Sequence, residues 1–98
     1  MSIKKSYSKK QSTCKVTFSL PKTIEAKNIA LLGDFNNWDS KATPMSLSRG
    51  SYKAEVELEK GSEYQFRYLI DGTRWENDEE ADKWVVSPFG AENSVVTI

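Results

Sequence analysis

The sequence predicts an all-β protein, a two-sheet antiparallel sandwich of about seven strands, on three observations. Apolar and polar residues alternate with a period of two in several separate segments. Those segments recur roughly every ten residues and are divided by Gly, Asn, Asp and Pro turn residues. No apolar window keeps a helical spacing for three turns. Short strands of this kind bury one face each against a facing sheet, and function then falls to loops or to an exposed sheet face.

Residues 1–14 are dominated by Lys, Ser and Gln, with Ile3 the only large aliphatic after Met1. So little apolar surface does not offset ordering entropy, and the segment is expected to stay mobile as a basic tail, with the sandwich domain spanning 15–98. Val16, Phe18 and Leu20 alternate with Lys15, Thr17 and Ser19 in a first strand that stops at Pro21. Asn28 to Leu32 reads as a more fully buried strand, followed by the polar loop Gly33 to Asp39. Met45 and Leu47 form a short strand, and Arg49-Gly50 turns the chain. Tyr52, Ala54, Val56 and Leu58 face inward against Lys53, Glu55, Glu57 and Glu59 outward, and Lys60-Gly61-Ser62 turns it back. Tyr64, Phe66, Tyr68 and Ile70 continue the inner face, which places Gln65, Arg67 and Leu69 outside, before the hairpin turn Asp71-Gly72. Thr73 to Trp75, Trp84 to Val86 and Ser94 to Ile98 supply the remaining strands. Between them Glu76 to Asp82 holds five acids and reads as a solvated loop; the spacing of a calcium loop is absent, since no Gly stands at the sixth position.

Composition narrows the function. The 98 residues carry 14 basic and 14 acidic side chains, no His and one Cys. Without His there is no Ser-His-Asp or Cys-His pair, and a zinc or haem site would lack its commonest ligand, so neither metal nor cofactor is expected. A single Cys14, no glycosylation sequon and an N-terminus without an apolar signal core fit a reducing cytoplasm. The longest aliphatic run, Ile29 to Leu32, is too short to span a membrane. The zero net charge is a sum of opposites: residues 1–24 hold six lysines and no acid, while 25–98 hold eight bases against fourteen acids. Lysines around Tyr7 are read as a solvated end rather than a nucleic-acid contact.

Three exposed candidates need a reason to be where they are. Trp38 sits in a polar turn between Asn37 and Asp39, where a large ring in water is unfavourable unless something covers it. It either folds back onto the sandwich edge or waits for a ligand. Trp75 follows the Asp71-Gly72 turn in a strand too short to fix its face. Arg67 is outward by parity, as many solvated charges are. Two flat rings and a guanidinium on one face would suit a sugar, whose C–H faces stack on aromatics and whose hydroxyls meet a fork of donors.

The segments Leu32-Gly33-Asp34-Phe35-Asn36-Asn37-Trp38, Tyr64 to Trp75 and Phe89-Gly90-Ala91-Glu92-Asn93-Ser94-Val95-Val96 resemble the glycogen-binding domain of AMP-activated protein kinase beta subunits and carbohydrate-binding module family 48. The resemblance runs from about Val16 to Ile98 and extends to the early-set N-terminal domains of isoamylases and branching enzymes. It implies an immunoglobulin-like sandwich that binds α-1,4-glucan, as glycogen, starch or maltooligosaccharide, without cleaving it. By the same resemblance Trp38 and Trp75 correspond to the family's sugar platform, Arg67 to a basic contact that is usually Lys, Asn93 to a polar contact and Phe89 to an apolar wedge. Trp84 matches no family contact and reads as core or edge cover.

A structural alternative is a module that docks on a glycogen-metabolising enzyme or self-associates without binding sugar, as similar domains do beside catalytic barrels. The two readings part on whether Trp38, Arg67, Trp75 and Asn93 share one open face. A glycosidase needs only two carboxylates, but the acids here lie on an outer strand face or in the acidic loop, and no enzyme is expected.

Overall fold

A computed structural model describes residues 2–7, 9, 12–24, 26–88 and 90–98. Among them the chain forms nine strands: β1 (Ser2–Tyr7), β2 (Thr13–Pro21), β3 (Ile29–Gly33), β4 (Ser46–Ser48), β5 (Ser51–Glu59), β6 (Glu63–Ile70), β7 (Arg74–Glu76), β8 (Lys83–Val86) and β9 (Glu92–Thr97). All ladders are antiparallel. One sheet runs β1-β2-β5-β4 and the other β3-β6-β9-β8, with β7 also on β6. The first order is that of strands A, B, E and D of an immunoglobulin domain, and β3-β6-β9 is that of C, F and G. The fold is thus the expected sandwich, with β7 and β8 inserted between the last two of those strands.

The alternating positions of β2, β5 and β6 meet between the sheets. Val16, Phe18, Leu31, Phe66, Tyr68 and Val96 are fully buried there, and Phe18 meets Phe66 edge-on at 5.0 Å between ring centres. Each such side chain contributes about 1.5–3 kcal/mol by leaving water, so the period-two pattern is also the source of stability. Met45 closes one end, and the backbone of Thr43 and Met45 bonds to Leu31 and Ile29, covering the outer edge of β3.

Two expectations are corrected. The segment read as a mobile basic tail contributes β1, paired to β2 from Ser2↔Ser19 to Tyr7↔Cys14, and β2 begins at Thr13 with Cys14 already in the core. Ile3 packs against the core, and Lys5, on the same side as Ile3, donates to Asp82 Oδ2 and to the Thr97 carbonyl, both at 2.8 Å. An inward lysine on an edge strand discourages edge-to-edge pairing; here its charge is met from the facing sheet.

The acidic segment is not simply solvated either. Asp78 is fully buried: its carboxylate accepts from the Tyr68 hydroxyl at 2.6 Å and from the Glu80 N–H at 2.8 Å, and its own N–H donates to Ser94 Oγ at 2.9 Å. Burial, and then the Asp78 charge, push the Tyr68 hydroxyl far above its ordinary pKa, so it stays a donor. Trp84 lies on the edge strand β8, 43% exposed, with its N–H on the Asp78 carbonyl at 3.1 Å. It covers an edge.

Candidate functional site

The site is built where β3 leaves its sheet. Register carries β3 against β6 as far as Gly33↔Phe66. A Cβ at Gly33 would fall 2.6 Å from a Phe35 ring carbon and 2.7 Å from the Gln65 carbonyl oxygen, so only a hydrogen fits at this exit. A single 3-10 turn follows over Asp34–Asn36. The Asn36 side chain pins it, accepting from the Gly33 N–H and donating to the Leu31 carbonyl and to Thr43 Oγ1. Asn37 and Trp38 then both adopt left-handed backbone, with φ of 57° and 56°. Asn tolerates that region, whereas a bulky aromatic there is an uncommon, strained conformation of the sort that clusters at functional sites. It is held by the Trp38 N–H on the Gly33 carbonyl at 3.0 Å and by the indole N–H on Asp34 Oδ1 at 3.0 Å.

The second wall comes from the β6–β7 hairpin. Asp71 and Gly72 are both left-handed, with φ of 53° and 71°, which turns the chain tightly enough to pair Leu69 with Trp75. The Asp71 carboxylate accepts from the N–H groups of Asn28 and Lys27, which fasten the hairpin to the start of β3 and hold its pKa below the usual carboxylate range. Pairing with Leu69 settles the face of Trp75, which the sequence left open. It stands on the outer side with Arg67 and is 43% exposed.

Arg67 joins the two aromatics. Its guanidinium carbon lies 4.5 Å from the centre of the Trp75 ring and 5.8 Å from that of Trp38. Its Nε is buried and finds no partner among the described residues. Asn93, on β9 and only 5% exposed, donates to Gln65 Oε1 at 3.0 Å while its own Oδ1 has no partner among them. A cleft of about 300 Å³ is lined by Asp34, Trp38, Gln65, Arg67, Ser87, Pro88 and Asn93. Of the five residues expected in a site, Trp38, Arg67, Trp75 and Asn93 are thus brought to the outer side of one sheet, and Phe89 lies outside the described residues.

Asp34 and Gln65 belong to this face and were not singled out from the sequence. Gln65 shares the parity of Arg67, and that was its available signal. Asp34 stands four residues before Trp38 in a tight turn, a spacing that becomes informative only once the left-handed residues are seen. Among the described residues, no group of three or more His, Cys, Asp or Glu could hold a metal ion. No described helix is long and apolar enough to cross a membrane.

An immunoglobulin-like sandwich thus presents two indoles, a guanidinium and an amide oxygen without a partner among the described residues on the outer side of one sheet. The family model described as the glycogen recognition site of AMP-activated protein kinase matches residues 14–98, and the chain belongs to that family. A search of the curated proteins finds no match.

Proposed function

We propose that this protein binds α-1,4-linked glucan, as glycogen, starch or maltooligosaccharide, and does so without cleaving it. The observation that carries the reading is that a buried donor, Arg67 Nε, and a buried acceptor, Asn93 Oδ1, both lack a partner among the described residues and belong to residues that line one cleft beside the indole rings. A buried polar atom without a partner is costly. One donor and one acceptor together match a sugar hydroxyl, which both donates and accepts; an anion would call for donors alone. Glucose rings stack on Trp38 and Trp75, and Arg67 and Asn93 fix the hydroxyl register. Phe89 enters as the apolar wedge on the concave side of the glucan, as the family likeness implies.

Each stacked ring adds on the order of 1 kcal/mol beyond area, which after association costs corresponds to micromolar to millimolar Kd for short oligosaccharides. Titration of tryptophan fluorescence with maltoheptaose tests this. A saturable change is expected in the wild type and none after Trp38→Ala with Trp75→Ala; equal binding by the double variant would refute the assignment.

A second reading, docking on a glycogen-metabolising enzyme or on another copy of the chain, has one observation in its favour. Trp84 and Val86 on the edge strand β8 are 43% and 72% exposed, two apolar side chains that do not line the cleft. The two readings use different surfaces and do not compete for residues.

A further inference from the structure

The β3–β6 ladder steps down one pair at a time, from Ile29↔Ile70 to Gly33↔Phe66. The next pair would be Asp34 with Gln65, but the chain has already turned away into its 3-10 turn. The Gln65 N–H is nevertheless satisfied, because Asp34 Oδ2 accepts from it at 2.9 Å. The other oxygen of the same carboxylate holds the Trp38 indole N–H at 3.0 Å. One side chain therefore spans from the fixed backbone of β6 to the outer rim of an aromatic ring.

The two tryptophans differ in this respect. The Trp75 indole N–H has no hydrogen-bond partner among the described residues, and its ring carries the Arg67 guanidinium on its face. Trp38 is tied at its backbone by the Gly33 carbonyl, on its face by Arg67 and at its indole nitrogen by Asp34. A ring fixed only at Cβ can swing about its side-chain torsions; a bond at the far nitrogen removes that freedom, and a charged acceptor makes it a strong one.

We infer that Asp34 is a positioning residue of the binding face: it takes over the backbone acceptor role that β3 gives up and uses its second oxygen to fix the plane of Trp38. The inference rests on the glucan reading for its effect on affinity but not for its effect on the ring. It follows that Trp38 serves the ligand with its ring face alone, since its N–H is already engaged, while Trp75 offers both a ring and a donor that no described residue engages.

Asp34→Asn tests this at constant volume, because the amide can present its oxygen to one N–H but turns an NH2 group on the other. The indole N–H resonances of ¹⁵N-labelled wild type, Asp34→Asn, Trp38→Phe and the double variant are recorded, each with a maltoheptaose titration. In the wild type the Trp38 N–H should exchange with solvent more slowly than that of Trp75. In Asp34→Asn the Trp38 resonance should move and exchange faster, while that of Trp84 on its carbonyl stays in place. Maltoheptaose affinity should fall roughly three- to tenfold in Asp34→Asn, yet change by less than about twofold when the same substitution is made in Trp38→Phe, which has no indole N–H to hold. An unmoved Trp38 resonance, or an equal loss in both backgrounds, would overturn the inference. A wild type blind to maltoheptaose would end the glucan reading, and the indole resonance would then decide the positioning role by itself.

Discussion

Arg67 stands against the face of Trp75, its guanidinium carbon 4.5 Å from the ring centre, and the same group reaches toward Trp38 on the other side at 5.8 Å. A cation so placed is attracted by the quadrupole of each ring. Arg offers here what Lys, a compact point charge, does not: a planar head that lies against aromatic faces and still carries a fork of donors for a ligand.

Replacing Arg67 by Met keeps most of the stem and removes the donors and the charge. Maltoheptaose affinity should drop roughly tenfold, about 1.4 kcal/mol, the scale of one hydrogen bond from a charged group to the sugar. Stability should change by less than about 1 kcal/mol, since Arg67 makes no ion pair with the described residues. Calorimetric titration and urea denaturation read the two quantities separately.

Asp78 should matter for folding rather than for a first contact with sugar. It anchors the segment that leads away from β7 through Tyr68, Ser94 and Glu80. Asp78→Ala leaves the Tyr68 hydroxyl buried without its acceptor and should cost about 2–4 kcal/mol, against about 1–2 kcal/mol for Tyr68→Phe. Urea midpoints measured on both variants check the order.

The Lys5–Asp82 pair makes the attachment of β1 sensitive to acid. Partial burial works against the Asp82 carboxylate, but the Lys5 ammonium and the Thr97 N–H outweigh it and hold its pKa below the ordinary value. A depressed folded-state pKa adds stability above the unfolded value, near about 4, and loses it as pH falls through the folded value. With the Asp82 side chain 38% exposed, screening limits the contribution to within about 1 kcal/mol. Stability should thus decline as pH falls below about 4, and Asp82→Asn should flatten part of that decline. Asp71 and Glu63, also lowered, keep the rest. Amide exchange over Ser2–Tyr7 should quicken in the same variant at neutral pH.

What could be seen in the sequence was whatever a local period of two encodes. On β6 the four inward apolar residues put Arg67 outside without any knowledge of its neighbours, and the pairing there follows the same parity. Trp38 was recognisable as a ring without cover, but its direction depends on two left-handed residues and on a carboxylate satisfied across the sheet, none of which alternation records. For Trp75 the strand is three residues long, so its face was settled by pairing with Leu69. β1 and Asp78 were illegible for one shared reason. Ser2–Tyr7 has little apolar pattern and Asp78 sits among acids, yet each is held by partners far along the chain: Lys5 by Asp82 and Thr97, Asp78 by Tyr68 and Ser94.

The central claim is that one outer sheet face takes a glucan. Mapping ¹H–¹⁵N shifts across the whole protein during a maltoheptaose titration tests it most directly. Changes should concentrate at the indole N–H of Trp75, the ring environment of Trp38, Arg67 Nε–H and the Asn93 side-chain amide, and saturate at micromolar to millimolar sugar. No change at millimolar sugar, or changes confined to Trp84 and Val86 on β8, would contradict the account.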